Sequence, residues 1–154
     1  DKVRQAIFNL IGQFFDGEVV LDLFAGSGAM GLEAISRGAC EAYFNDINKQ
    51  ALETVKRNAL KLKVLEQCDL KNMDFKDYLT SINRPFDIIF LDPPYKMNNV
   101  DEILSLIYQY KLLKSKGIIA FEMESQTNPD SKYYKIIKDR SYGIKRVVIY
   151  KEEI

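Results

Sequence analysis

The sequence predicts an α/β fold: a mostly parallel sheet, helices on both of its faces, and an antiparallel hairpin at the C-terminal end. Three observations carry this reading. Continuous apolar runs at residues 19–24 (VVLDLF), 86–91 (FDIIFL) and 117–123 (GIIAFEM) read as strands buried on both faces. Between them lie segments whose apolar residues recur at i, i+3, i+4 and i+7, the spacing of one helix face. Strand and helix alternate through five rounds. Such alternation lays strands parallel, with crossover helices on either side.

Each element follows in order. Residues 1–15 place Val3, Ala6, Ile7, Leu10, Ile11 and Phe14 at helical spacing. Gly17 precedes the first strand, AGSG follows it, and MGLEAISRG reads as a helix closed by Gly38. AYFN is the second strand. Asp46 and Asn48 then open a long helix with an apolar face of Ala51, Leu52, Val55, Ala59 and Leu62. The third strand falls within CDLKNMDF and is expected to end near Met73. DYLTSI reads as a short helix, and VDEILSLIYQY as an amphipathic one through Val100, Ile103, Leu104 and Ile107. A polar loop, SQTNPDSK, leads to YYKIIK and IKRVVIYKE, joined by a turn at Ser141–Gly143.

The 154 residues fit one domain, expected to span 1–154. Hydrophobic residues at 47% and charged residues at 29% describe a globular chain. Lys plus Arg and Asp plus Glu each total 22, which argues against a protein that coats a polyanion by bulk charge. The absence of His excludes His-based triads and His general bases, and no metal site is expected. Cys40 and Cys68 form no CxxC, so the expected setting is a reducing cytoplasm. No apolar run approaches the roughly 20 residues of a membrane span. The chain opens at Asp1 inside a predicted helix, so a preceding segment is expected.

In sheets of this type ligands sit beyond the carboxyl ends of the strands, where strand order reverses. Two motifs stand there. The first is LDLFAGSGAMG, in which Gly26, Gly28 and Gly31 satisfy GxGxxG directly after the first strand. Its glycines permit a tight turn and close backbone approach to a ligand; a compact turn without a ligand is the competing account. Asp46, at the end of the second strand, could accept both ribose hydroxyls of a nucleotide ligand. Helix capping is its other role, and Asn48 could take that over. Dinucleotides and S-adenosyl-L-methionine both fit the loop. Asp22 discriminates, because a carboxylate there repels a pyrophosphate and attracts an ammonium or sulfonium. A ligand carboxylate would then rest on the Gly26–Gly28 amides.

The second motif is LDPPYK at the end of the fourth strand. Two prolines stiffen the corner and remove two N–H donors while keeping their carbonyls. Asp92 adds an acceptor-only carboxylate, so Asp92, Pro93 and Pro94 accept hydrogen bonds and offer few, which suits a substrate NH₂ group. Tyr95 offers a ring for stacking a base, and Lys96 is a phosphate candidate. Beside the third strand, Asp74 with Phe75 fits an adenine contact, Asp69 is the competing acid, and helix capping is the alternative for either.

These residues, LDLFAGSGAMGLEA followed by Asp46 and LDPPY, resemble the class I S-adenosylmethionine-dependent methyltransferases of exocyclic amines. The closest similarity is to RsmD-type enzymes, which methylate a guanine N2 amine in small-subunit ribosomal RNA. The opening DKVRQAIFNLI and closing SYGIKRVVIYKEE share the resemblance. It implies a Rossmann-like fold of seven strands with the last antiparallel. It implies cofactor contacts at Asp22, Phe24, Gly26, Gly28 and Asp46 and catalysis at Asp92, Pro93, Pro94 and Tyr95; Ala25, Ser27, Ile47, Asp74 and Phe75 are expected beside the cofactor by position, and Tyr95 and Lys96 toward the substrate. The implied partner is ribosomal RNA or the small ribosomal subunit, met by a monomer without metal or membrane. An adenine-N6 methyltransferase and an inactive cofactor-binding module are the rival readings. A late basic run, Lys132, Lys135, Lys138, Arg140, Lys145, Arg146 and Lys151 interleaved with Tyr133, Tyr134, Tyr142 and Tyr150, is either an RNA-facing strip or a solvated hairpin face.

Overall fold

The computed structural model describes residues 2–94 and 99–153. The elements run α1 (Lys2–Ile11), β1 (Val19–Asp22), α2 (Ala29–Ser36), β2 (Glu41–Asn45), α3 (Lys49–Lys61), a 3₁₀ turn (Leu65–Gln67), β3 (Cys68–Lys71), α4 (Phe75–Ser81), β4 (Phe86–Leu91), α5 (Val100–Gln109), β5 (Leu113–Glu124), β6 (Tyr134–Tyr142) and β7 (Lys145–Glu152). The sheet has seven strands in the order β3-β2-β1-β4-β5-β7-β6. β1 to β5 pair in parallel, and β7 runs antiparallel to both β5 and β6. Strand order reverses between β1 and β4, which makes the carboxyl ends of these two strands the expected ligand site.

Alternate residues of each strand face opposite layers. On one side Leu21, Ile89 and Phe121 pack with Leu79, Ile103 and Ile107 from α4 and α5. On the other, Val20, Ile88 and Phe44 pack with Phe8, Leu32 and Val55 from α1, α2 and α3. Gly31 makes the second layer possible: a Cβ there would lie 2.4 Å from Cε2 of Phe44, so only glycine lets α2 settle on the ring.

Several sequence expectations need correction. α1 stops at Ile11, where Gly12 takes φ +127°, so Phe14 leaves the apolar stripe and is 87% exposed; Phe8 is the buried anchor instead. β3 ends at Lys71, not near Met73, because the next backbone groups are diverted to the Asn45 side chain. β5 begins at Leu113, four residues before the apolar run. β6 extends through Tyr142, which moves the hairpin turn to residues 143–144. Within the late basic run, Tyr134 and Tyr150 are buried, Arg146 is bound to Asp139 at 2.7 Å and Lys138 donates to the Leu10 carbonyl at 2.7 Å, while Lys132, Lys135 and Arg140 are exposed.

Candidate active site

The site is assembled at the carboxyl ends of β1, β2 and β4. Asn45, the last residue of β2, is 1% exposed. Its side-chain nitrogen donates to the Met73 carbonyl at 3.0 Å and the Leu23 carbonyl at 3.5 Å, and its oxygen accepts the Met73 N–H at 3.2 Å. One amide therefore joins the exits of β1, β2 and β3. Ala25 adds a bond from its N–H to the Asn45 carbonyl at 2.9 Å.

Asp46 follows. Its Oδ2 accepts the Gly26 N–H at 2.9 Å and its Oδ1 accepts the Asn48 N–H at 2.9 Å. The cap of α3 is Asn48, whose side chain accepts the Gln50 N–H at 2.8 Å. Asp46 is thereby released from capping and braces the glycine loop. Asn72 holds the same segment by donating to the carbonyls of Asp46 and Ile47 at 2.9 and 3.0 Å.

Gly26 and Gly28 take φ +55° and +82°, a region open to glycine at little cost. Their amides do not wait for a ligand carboxylate as the sequence suggested. The Gly26 N–H is held by Asp46, and the Gly28 N–H donates to the Ala25 carbonyl at 2.7 Å. The Ser27 carbonyl accepts from Asn58 of α3 at 3.1 Å.

Asp22 ends β1 and is 5% exposed. Its Oδ2 accepts the Gly31 N–H of α2 at 3.0 Å. Burial pushes its carboxyl up to about 7, opposed by that bond and reinforced by the charges of Asp92 and Asp46. Asp22 thus stands behind the site, electrostatically linked to both acids.

A cavity of about 350 Å³ opens in front of these groups. Leu23, Phe24, Ile47, Met73 and Phe75 form its apolar wall, and Gly26, Asn45, Asp46, Asp74, Asp92 and Pro94 its polar side. Its size lies within the range of small-molecule sites. Phe24 and Phe75 meet at 5.5 Å between centroids. Ile47, 72% exposed, offers an apolar face at the rim. Asp74 caps α4, accepting the Lys76 N–H at 3.0 Å through Oδ2, and it also borders the cavity. Asp69 sits on β3 beside Tyr78 and does not line the cavity. Asp22, Ala25, Ser27 and Gly28, also expected as contacts, do not line the cavity.

Asp92 and Pro94 are exposed at the mouth, with Pro93 half-buried between them. Although the residue reaches solvent, crowding around the Asp92 carboxyl raises its pKa through lost hydration, against the opposing Lys145 charge and a hydrogen bond with Glu122. Tyr95 and Lys96 lie outside the described residues. Sequence reasoning missed Asn45, Asn72 and Glu122. Only Asn45 left a signal, as a polar residue closing an apolar strand.

A cavity at the carboxyl ends of this sheet, with an acid after β2 and an acceptor corner after β4, fits the class I methyltransferase architecture. An RNA methyltransferase from Salinibacter ruber, solved with S-adenosyl-L-homocysteine, has the same fold: TM-score 0.74 over 100% of this chain and 94% of that one, at 14% identity. A conserved hypothetical protein from Streptococcus pyogenes is nearer, with TM-score 0.92 and 32% identity over 97% of this chain and 95% of that one.

Among sequence relatives, YlbH of Bacillus subtilis, provisionally named an rRNA methyltransferase, is 38% identical over 99% of this chain and 85% of its own length. Ribosomal RNA small subunit methyltransferase D of Haemophilus influenzae is 32% identical over 97% of this chain and 80% of its own. The family described as conserved hypothetical protein 95 matches residues 1–151. The chain belongs to this family, the RsmD-type methyltransferases.

Proposed function

We propose that this protein methylates ribosomal RNA of the small subunit, transferring the methyl group of S-adenosylmethionine to the exocyclic N2 amine of a guanine. The observation that carries the reading is the Asp92-Pro93-Pro94 corner on the mouth of a cavity bordered by acids. The relatives named for small-subunit ribosomal RNA support the substrate class.

The residues fit this cofactor better than a dinucleotide. Asp46, Asp74 and Asp92 make the cavity acidic, which favours a cation over a pyrophosphate, and the Gly26 and Gly28 amides are already bonded within the chain. Asp46 would hold the ribose hydroxyls, Asp74 the adenine amine, and Ile47 and Phe75 the faces of the ring. When bound, S-adenosylmethionine supplies an electrophilic methyl carbon whose bond to sulfur breaks onto sulfur as the amine nitrogen bonds to it.

The chain's own residues prepare that nitrogen. The lone pair of an aromatic amine is delocalised into the base. Acceptance of its two N–H groups by the Asp92 carboxylate and the Pro93 carbonyl favours a pyramidal nitrogen with a localised lone pair. The methylated nitrogen is cationic and sheds its proton readily, so no strong base is needed; Asp92 stabilises the developing charge. Holding amine and methyl carbon in line supplies much of the rate. The target base must leave its stack to reach this corner, and the sequence places a stacking ring, Tyr95, and a cation, Lys96, directly after it.

Incubation of unmethylated small subunits with enzyme and cofactor, followed by mass-spectrometric mapping of nucleosides, tests the reading. N2-methylguanosine is expected. N6-methyladenosine would transfer the chemistry to adenine, and no methylated nucleoside despite binding of S-adenosylhomocysteine would leave only a cofactor-binding module.

A further inference from the structure

β4 and β5 run parallel, with Leu91 opposite Phe121. The next pair along is Asp92 and Glu122, so register alone sets these acids side by side. Their carboxyls lie near enough that each shifts the other's titration, with a hydrogen bond between them lowering Asp92 and raising Glu122. From the antiparallel neighbour, Val147 of β7 lies opposite Glu122. Lys145, two residues from Val147, points to the same face and brings Nζ to 3.6 Å from Glu122 Oε2. A small cavity of about 20 Å³ separates this group from Pro93 and Pro94, room for one water.

Two carboxyls in contact cannot both ionise without strong repulsion, and one shared proton resolves it. With that proton on Glu122, Asp92 ionised and Lys145 charged, the cluster is neutral. Burial and the Asp92 charge both raise the Glu122 pKa, against Lys145. Among the described residues, the charged groups facing Asp92 are Glu122 from β5, Lys145 from β7 and Asp22 from β1. Those facing Glu122 are Asp92 and Lys145.

We propose that Glu122 and Lys145 are positioning residues for the reaction: Glu122 keeps its proton and donates a hydrogen bond to the β5-side oxygen of Asp92, which turns the other oxygen toward the substrate amine, while Lys145 holds Glu122 in place. The role rests on the methyl-transfer reading above; the pairing itself does not.

Carbon-13 NMR titration of the side-chain carboxyls tests the pairing without any substrate. Glu122 should titrate above the ordinary glutamate range in the wild-type chain and fall back toward it in Asp92→Asn, which removes the neighbouring anion. An unmoved Glu122 overturns the proposal. Turnover tests the role. Glu122→Leu should lower kcat by about 10²-fold through a misplaced Asp92, with the affinity for S-adenosylhomocysteine unchanged. Glu122→Gln still donates a hydrogen bond and should recover most of that loss. Because ionising Glu122 removes its donated bond, wild-type turnover should fall as pH rises through that step, and Glu122→Gln should lack this limb. Equal losses in Gln and Leu, or a Gln profile identical to wild type, would reject the positioning role. A coupled titration in a wild-type chain that methylates no RNA would instead reject the methyl-transfer reading and leave the pair standing.

Discussion

Asp46 reaches back 20 residues along the chain to accept the Gly26 N–H at 2.9 Å, so the acid after β2 and the glycine loop after β1 form one unit. Asp46→Ala removes this bond and the one from Asn48. Hydrogen bonds to a charged group contribute about 1.5–3 kcal/mol each, so the loop should loosen and the affinity for S-adenosylhomocysteine should fall by at least about tenfold. Calorimetric titration reads it, and unchanged affinity would separate Asp46 from cofactor binding.

Asp92→Ala should leave that affinity intact and lower methyl transfer by about 10² or more, as for loss of one preorganised transition-state contact. Single-turnover assays on unmethylated subunits give the rate. Retained turnover would remove Asp92 from the chemistry.

Asp22 makes stability depend on pH. Its carboxyl is raised to about 7 in the fold and returns to an ordinary value on unfolding. Between pH 4 and 7, then, the native state binds more protons than the unfolded one, and stability falls as pH rises. The full cost at pH 8 is on the order of 4 kcal/mol. Asp22→Asn keeps an acceptor for the Gly31 N–H without the charge. It should raise the melting temperature at pH 8, have little effect at pH 4, and flatten the pH dependence between. A parallel offset at all pH values would place the titration elsewhere.

Gly31→Ala should destabilise the fold although alanine favours helix by about 1 kcal/mol. The added Cβ would meet the fully buried ring of Phe44 at 2.4 Å. Overpacking costs typically 1–3 kcal/mol, and against the helix gain a net loss of up to about 2 kcal/mol is expected from urea denaturation.

Asn45→Ala should cost about 2–3 kcal/mol, because it strands half-buried backbone groups of Met73 and the buried Leu23 carbonyl. Hydrogen exchange should quicken first at Met73, and uniform protection there would contradict the clasp.

The sheet was legible because β1, β4 and most of β5 are buried on both sides and read as unbroken apolar runs. β3 was harder to read, since an edge strand with the sequence CDLK is only half-buried and lacks that signature. The first turn of β5 carries exposed Lys114 and Lys116, which hide it. Asp46 and Asp92 stood out as acids directly after apolar strands. What could not be read was lateral. The Asn45 clasp and the Asp92–Glu122 contact arise from which residues of different strands stand abreast, and one-dimensional periodicity is silent on that. The same holds for the division of labour between Asp46 and Asn48, both plausible caps until the Gly26 bond separates them.

The Asn45 side chain has a mechanical consequence. Because a single amide rivets three strand exits, the glycine loop after β1 and the Met73–Asp74 segment after β3 are tied to one another, and displacing either strains the bonds that hold the other. A force applied to one of these segments is therefore carried to the other through Asn45, while, among the described residues, the Asp92–Pro94 corner after β4 has no bond to that amide.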